Sequence, residues 1–391
     1  MLFTLFILIL LNLFLFLKLF LYCLFFEKLE LMENKNNMHI NKIKNENFFK
    51  MIKISDLVEK VIPKPSIYKI KTQNGVVGVF GGSFEYTGAP FYSAVSALKS
   101  GVDLSHIFCH ADAATPIKSY SPELIVHPGF DNNIDNSSLL NKTIRWFKSM
   151  DILLYGPGLG REEPTPYVFN LFLSESIKIK NMMHVLDADS LWHFMNSDYK
   201  NFLSEDCFFI FTPNKTEFGR LYKMYFNKDY ASDDSTIDNW LSNMNIRDDI
   251  KVIQFEDLDN LEYNNSDVFQ LFKAEIELAK LLKNKIIIKK GRNDTVTDGK
   301  MLFVIFNEGS LKRTGGLGDI LGGLISAYCA MIKKEFGQSK EIKSIHLMEA
   351  ISLASYVCRL ASKNAYSIHG FSLTAPDVIL ELAKIAKDYK I

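Results

Sequence analysis

"VVGVFGGSFEYTGAPFYSAVSALKSGVDLSHIFCH", residues 76–110, holds the unit on which the fold turns. The apolar run Val76–Phe80 ends in a glycine-bearing loop. A helix-like stretch then runs from Ala89 to Lys99, and a second apolar run covers His106–His110. Two continuous apolar strands separated by a helix-length segment need a crossover, so they lie parallel and are buried on both faces.

The same rhythm continues outward. "LIVH" (124–127), "ILLY" (152–155), "HVLD" (184–187), "FFIFT" (208–212), "KIIIKK" (285–290) and "MLFVIF" (301–306) read as strands, and residues 319–335, 343–366 and 375–388 as helices. The expected architecture is α/β, with a mainly parallel central sheet, helices on both faces and right-handed crossovers. In such sheets ligands bind beyond the carboxyl ends of the strands.

The chain has 391 residues, 48% apolar and 23% charged, and its 45 basic and 45 acidic residues leave no net charge. That balance supplies a core and gives no bulk attraction for nucleic acid. The five cysteines form no C-x-x-C pair, which reads as reduced core thiols and not as a disulfide framework or zinc site. Residues 1–26 are almost continuously Leu, Phe and Ile, long enough to cross a bilayer at about 20 residues. They stand as a signal anchor, an atypical leader, or translated upstream sequence. Membrane contact is expected only if they are retained. Residues 27–54, rich in Asn and Lys, read as a linker, and 55–391 as the catalytic domain. Residues 226–265, dense in Asp and Asn, read as an inserted surface loop.

Polar motifs fall where strands end: "GGSFEYTGAP" (81–90), "GPGLGR" (156–161), "DAD" (187–189), "TPNKTEFGR" (212–220) and "KGRND" (290–294). They converge on one rim of a parallel sheet, as a multi-loop ligand site requires. No P-loop motif is present, and Arg161 and Leu321 stand where a dinucleotide fingerprint needs its third glycine. In "TGGLGDILGGL" (314–324), Gly315, Gly316 and Gly318 would bare N–H groups at a helix N-terminus that carries about half a positive charge. There the dipole would favour an ionised Asp319. This aspartate has two readings, a base beside a phosphate cradle and a helix cap. Gly322 and Gly323 weaken a helix by about 1 kcal/mol each and imply close backbone approach. Asn214 and Glu217 are spaced either as a capping box or as a polar pair holding substrate. Lys290 and Arg292 are cations able to meet phosphates, and His369 is more simply a surface or core residue.

These motifs, in this order and together with "SYSPELIVHP" and "DADSLW", resemble the ATP-dependent NAD(P)H-hydrate dehydratase family, of ribokinase-like fold, over roughly residues 55–391. The resemblance implies dehydration of the S-form of hydrated NADH or NADPH, with ATP consumed to ADP and phosphate and Mg²⁺ accompanying ATP. The setting it implies is cytoplasmic or mitochondrial, with small-molecule partners, no nucleic acid, and a homo-oligomer left open. It assigns Asp319 as base and substrate contact. Substrate binding falls to Gly158, Gly160, and Asn214, Lys215, Thr216, Glu217, Phe218, Gly219 and Arg220. ATP binding falls to Lys290, Gly291, Arg292, Asn293 and Asp294, and to Gly309, Ser310, Leu311, Lys312, Arg313, Thr314, Gly315, Gly316, Leu317 and Gly318. Leu317 departs from the glutamine common in the family, and Thr314 from its cysteine. The alternatives are a kinase of the same fold acting on a vitamin-precursor alcohol, and a non-enzymatic nucleotide binder.

Overall fold

The computed structural model describes residues 49–133, 137–198, 202–203, 207–231, 234–244, 246, 250–256, 258, 267–283, 285–336 and 341–387. The hydrophobic segment 1–26 and most of the expected linker lie outside these residues.

Eleven strands form one sheet among the described residues, in the order β1-β8-β11-β10-β9-β7-β6-β5-β2-β3-β4. They span Phe49–Lys53 (β1), Val76–Phe80 (β2), Leu104–His110 (β3), Ile125–Phe130 (β4), Ile152–Tyr155 (β5), Met183–Leu186 (β6), Phe208–Phe211 (β7), Ile250–Phe255 (β8), Ile286–Lys289 (β9), Asp294–Thr297 (β10) and Leu302–Ile305 (β11). From β9 to β4 all neighbours are parallel. From β9 to β1 all are antiparallel. The chain leaves β2 toward β3 and β4, then returns to β2's other side with β5, so the sheet reverses direction between β2 and β5. That is the switch point where a crevice opens.

Alternation along each buried strand divides the core into two layers. Ile152 and Leu154 of β5 face one layer, with Val77, Val79, Ile107 and Val185. Leu153 and Tyr155 face the other, with Phe80, Phe108, Leu186 and Phe211. The first layer is closed by the helices Gly88–Lys99, Leu317–Phe336 and Ser344–His369. The central one, Leu317–Phe336, is buried from Ile320 to Ile332. Its two interior glycines are explained by approach. A Cβ on Gly323 would lie 2.1 Å from the carbonyl oxygen of Ser93, and one on Gly322 would lie 3.2 Å from Leu154. Cys109, Cys207, Cys329 and Cys358 are free and buried, as expected of core thiols.

Three expectations need correction. The linker does not extend to residue 54, because Phe49–Lys53 is an edge strand paired with β8. "KGRND" runs into β10, which forms a hairpin with β9. Residues 226–265 are not a surface loop throughout. They hold the helix Asp234–Ser242 and the strand β8, which lies between β1 and β11. Only Ile237 and Trp240 of that helix are buried, so the three acidic or amide residues around them, Asp234, Asp238 and Asn239, hid an apolar face. Trp240 is 2% exposed and packs against Phe255 and Phe272 in a third core.

Trp240→Ala is expected to lower the unfolding free energy by about 3–5 kcal/mol in urea titration, as large-to-small core changes do. A loss within the ~0.5 kcal/mol typical of surface changes would mean that this helix is peripheral.

Candidate active site

Three strand ends meet at Asp187. It follows β6, and its side chain is 2% exposed. Lys290, following β9, places Nζ 2.7 Å from Asp187 Oδ1. Thr212, following β7, donates its hydroxyl to the same oxygen at 2.5 Å. Gly156, at the end of β5, has φ +116°, and a Cβ there would lie 1.8 Å from the Asp187 carbonyl oxygen. Only glycine permits this approach.

Asp319 sits in the first turn of Leu317–Phe336 and is half-buried. Ser93 donates its hydroxyl to the Asp319 carbonyl at 2.9 Å, fixing the start of the helix. Burial pushes the Asp319 carboxyl up to about 7. The charge of Asp187 adds to the rise, Lys290 opposes it, and Asp189 adds again. The backbone at the helix start still favours the ionised form, but desolvation and two carboxylates outweigh it. Lys290 responds in the opposite sense. Burial alone would lower its pKa, but Asp187 and Glu217, with Asp319, raise it. Burial raises the Glu217 carboxyl, and Lys290 counters this. The result is a permanent cation between three carboxylates, one of which is poised to exchange a proton near neutrality.

A cleft of about 970 Å³ opens beside this cluster at the switch point. Gly158 and Gly160 line it with φ of +58° and +79°. A Cβ on Gly158 would lie 2.8 Å from Tyr86 Cβ. Gly160 N–H donates to Asp189 Oδ2 at 3.0 Å, and Arg161 Nε to Asp189 Oδ1 at 2.8 Å. Phe84, 80% exposed, and Tyr86 stand on the wall from the loop after β2.

The structure brings Asp319, Lys290, Glu217, Gly158, Gly160 and Gly318 to one rim. A Cβ on Gly318 would lie 3.8 Å from Lys290 Nζ. The capping box at Asn214 is present: Oδ1 accepts from Thr216 N at 2.9 Å and Glu217 N at 3.0 Å, while Asn214 N donates to Glu217 Oε2 at 2.8 Å. The same turn holds Glu217 against Lys290, so cap and site coincide. Thr216 is exposed, and Lys215 is exposed and pairs with Asp234 at 3.2 Å.

Several sequence candidates have other work. The Phe218 side chain is fully buried against Tyr230. Gly219 likewise faces Tyr230 at 3.9 Å. Asp294 is buried, accepting from Ser355 at 2.7 Å and pairing with Arg359 at 3.2 Å. Arg292 and Asn293 hold Asp238 at 2.8 and 2.9 Å. These side chains are held in the structure.

In the loop before Asp319, Ser310 N donates to Ser362 Oγ at 3.1 Å, and Lys312 Nζ to the Leu373 carbonyl at 2.8 Å. Gly309 packs near Ser362. Leu311 and Arg313 are exposed and Thr314 partly so. A Cβ on Gly315 would meet nothing within 4 Å, whereas Gly316 has φ +93° and is pressed on Ala375. Leu317 packs its side chain on the first core layer, which accounts for an apolar residue there. His369 lies 3.6 Å from Asp377, a surface contact. Asp187, Asp189 and Thr212 received no role from the sequence, although their position just beyond strands was the available signal. Among the described residues no group of three or more His, Cys, Asp or Glu is arranged to hold a metal.

A family model described as NAD(P)H-hydrate dehydratase matches residues 77–245 and 255–384. The chain is 34% identical over 328 residues to the ATP-dependent (S)-NAD(P)H-hydrate dehydratase of Homo sapiens, covering 83% of this chain and 81% of that one. It is 34% identical over 329 residues to the protein of that name from Caenorhabditis elegans, covering 84% and 93%. Among solved structures it is similar to the ADP/ATP-dependent NAD(P)H-hydrate dehydratase of Bacillus subtilis co-crystallised with ATP and Mg²⁺. That likeness has a TM-score of 0.55 at 16% identity, over 86% of this chain and 97% of that one. It is also similar to a ribokinase-like superfamily protein from Enterococcus faecalis, with a TM-score of 0.59 at 19% identity over 86% and 94%. The ribokinase-like fold is thereby shown.

Asp187→Asn removes a negative neighbour from Asp319 and releases Lys290 toward it. Both changes lower the Asp319 pKa, so its titration, followed by carboxyl-carbon NMR, is expected to move from about 7 toward the ordinary aspartate range. An unmoved midpoint would mean that burial alone sets it.

Proposed function

The chain belongs to the NAD(P)H-hydrate dehydratase family, and from that premise we propose how its residues carry the ATP-dependent reaction. It returns the S-form of hydrated NADH or NADPH to the reduced dinucleotide, with ATP converted to ADP and phosphate. The observation that carries the assignment is Asp319, a half-buried carboxyl with a pKa of about 7, beside Lys290 and at the mouth of the glycine loop.

The ring hydroxyl of the hydrate is placed at Asp319. As its oxygen attacks the γ-phosphorus of ATP, the hydroxyl proton passes to the Asp319 carboxylate and ADP departs. The C–O bond of the phosphorylated ring then breaks, phosphate leaves with the electron pair, and a proton is lost from the neighbouring ring carbon. A base with a pKa near the working pH combines availability with driving force. The N–H groups of Gly315, Gly316 and Gly318 would face the transferred phosphoryl group, where charge develops. Lys290 adds a fixed positive charge, oriented by Asp187 and Thr212. Gly158 and Gly160 allow the hydrate to approach the loop after β5 closely.

Mg²⁺ fits this donor set as a companion of ATP. Asp187 and Asp189 are engaged by Lys290 and Arg161, so a metal would be held chiefly by phosphate and water, as nucleotide-borne Mg²⁺ is. Its chemistry there is neutralisation of phosphate charge.

Asp319→Asn is expected to cut kcat by about 10²–10⁴, the range for loss of a positioned base, with ATP affinity largely kept. The assay is recovery of NADH absorbance from hydrated NADH, ATP and Mg²⁺. Near-normal turnover would leave Asp319 a helix cap. Stable phosphorylation of an alcohol without NADH recovery would favour the kinase reading.

The folded-state pKa of Asp319 is raised, so the native state holds this proton more tightly than the unfolded chain between the ordinary aspartate range and about 7. Ionisation therefore opposes folding above that window. Wild-type kcat/KM should fall about tenfold per pH unit below the Asp319 pKa. Asp319→Asn should raise Tm at pH 8 more than at pH 5. The absence of this difference would mean that Asp319 titrates normally.

A further inference from the structure

A second groove, of about 410 Å³, lies beyond the main cleft and is lined by Arg161, Trp192, Met195, Asn196, Arg220 and Met224. Arg161 lines both spaces, so a ligand leaving the main cleft passes over it into the groove. Its guanidinium is held by Asp189 at 2.8 Å and lies 5.5 Å from the centre of the Trp192 ring. Trp192 is itself steadied edge-on against His193, whose ring nitrogen donates to the Gly160 carbonyl at 2.7 Å. Arg220 is exposed, and its positive charge acts on the Glu217 carboxyl.

The two spaces differ in charge. Glu85, Asp112, Glu162, Glu163 and Asp189 line the main cleft, with Arg161 and His110 as the basic groups opposing them. A polyanionic dinucleotide is repelled there except at its uncharged ring and sugar. The groove carries two arginines and no carboxylate. Its apolar faces, Trp192, Met195 and Met224, suit a purine, since base–aromatic stacking contributes about 1–3 kcal/mol in other proteins. The amide of Asn196 offers both a donor and an acceptor to a purine edge. The exposed guanidinium fork of Arg220 matches the oxygens of a phosphate monoester.

We propose that this groove receives the adenosine end of the dinucleotide, and that Arg220 binds a phosphate on the adenosine 2′ oxygen. The groove then distinguishes hydrated NADPH, which carries that phosphate, from hydrated NADH, which does not. The proposal rests on the hydrate-dehydratase reading for its substrate, but its binding chemistry does not depend on turnover.

Two measurements separate these dependencies. In calorimetric titration, the wild type should bind adenosine 2′,5′-bisphosphate about tenfold more tightly than adenosine 5′-monophosphate, a difference of about 1.4 kcal/mol. Arg220→Ala should abolish that preference. With the hydrates, Arg220→Ala should lower the ratio of kcat/KM for hydrated NADPH over hydrated NADH by about the same factor. Equal binding of the two nucleotides by the wild type, or a preference that survives Arg220→Ala, overturns the proposal. Failure of the wild type to turn over either hydrate would instead overturn the functional reading, while the titration still decides the groove.

Discussion

The ion pair of Asp187 and Lys290 is the contact on which the active rim depends. It ties the ends of β6 and β9 across β7, and Thr212 from β7 completes the clasp. Burying two charges is costly, and removing one partner of such a pair typically costs about 3–5 kcal/mol because the other charge is left unpaired. The pair persists because its strands are already held in register by the parallel ladder. The ladder brings the two groups together without ordering long side chains from solution. Its second effect is electrostatic. The charge of Asp187 adds to the rise that burial gives the Asp319 carboxyl on the helix opposite. One buried contact thus shapes the rim and modulates the proton affinity that burial gives its base.

The antiparallel wing has a supporting part. Asp238, on the helix Asp234–Ser242, holds Arg292 and Asn293 of the β9–β10 turn. From the other side Arg359 donates to the carbonyls of Gly291, Arg292 and Asn307 while pairing with Asp294. The turn that follows Lys290 is therefore clamped by side chains whose charges are spent on structure. Behind it, buried Lys289 pairs with Glu275 and donates to Tyr230 at 2.7 Å. Adjacent lysines thus serve two layers, Lys289 holding Glu275 and Tyr230 and Lys290 holding Asp187.

Much of this was legible in the sequence. Strands buried on both faces are continuous apolar runs, so β2, β5, β7 and β9 could be read almost to the residue. Gly322 and Gly323 announced a close approach that the structure supplies at Ser93 and Leu154. Asp319, Lys290 and the glycines after β5 stand where strand ends and the glycine loop would put them. The wing was hidden for a physical reason. The helix Asp234–Ser242 buries only Ile237 and Trp240, and β1 and β8 pair across about 200 residues of chain. No local periodicity marks such elements.

By itself, then, the sequence determined the parallel sheet, the rim at which its polar loops gather, and the family to which those loops belong. Hydrophobic period and glycine placement are local quantities that a linear reading can weigh. Only the tertiary structure decided which charges are free to act. Asp294, Arg292 and Asn293 carry the residue types of a nucleotide site yet are held by partners distant in the chain. Asp187, unremarkable in sequence, becomes the centre of the site. Desolvation and Coulomb coupling depend on what surrounds a group in space, and so the proton affinity of Asp319 belongs to the fold and not to the motif that contains it.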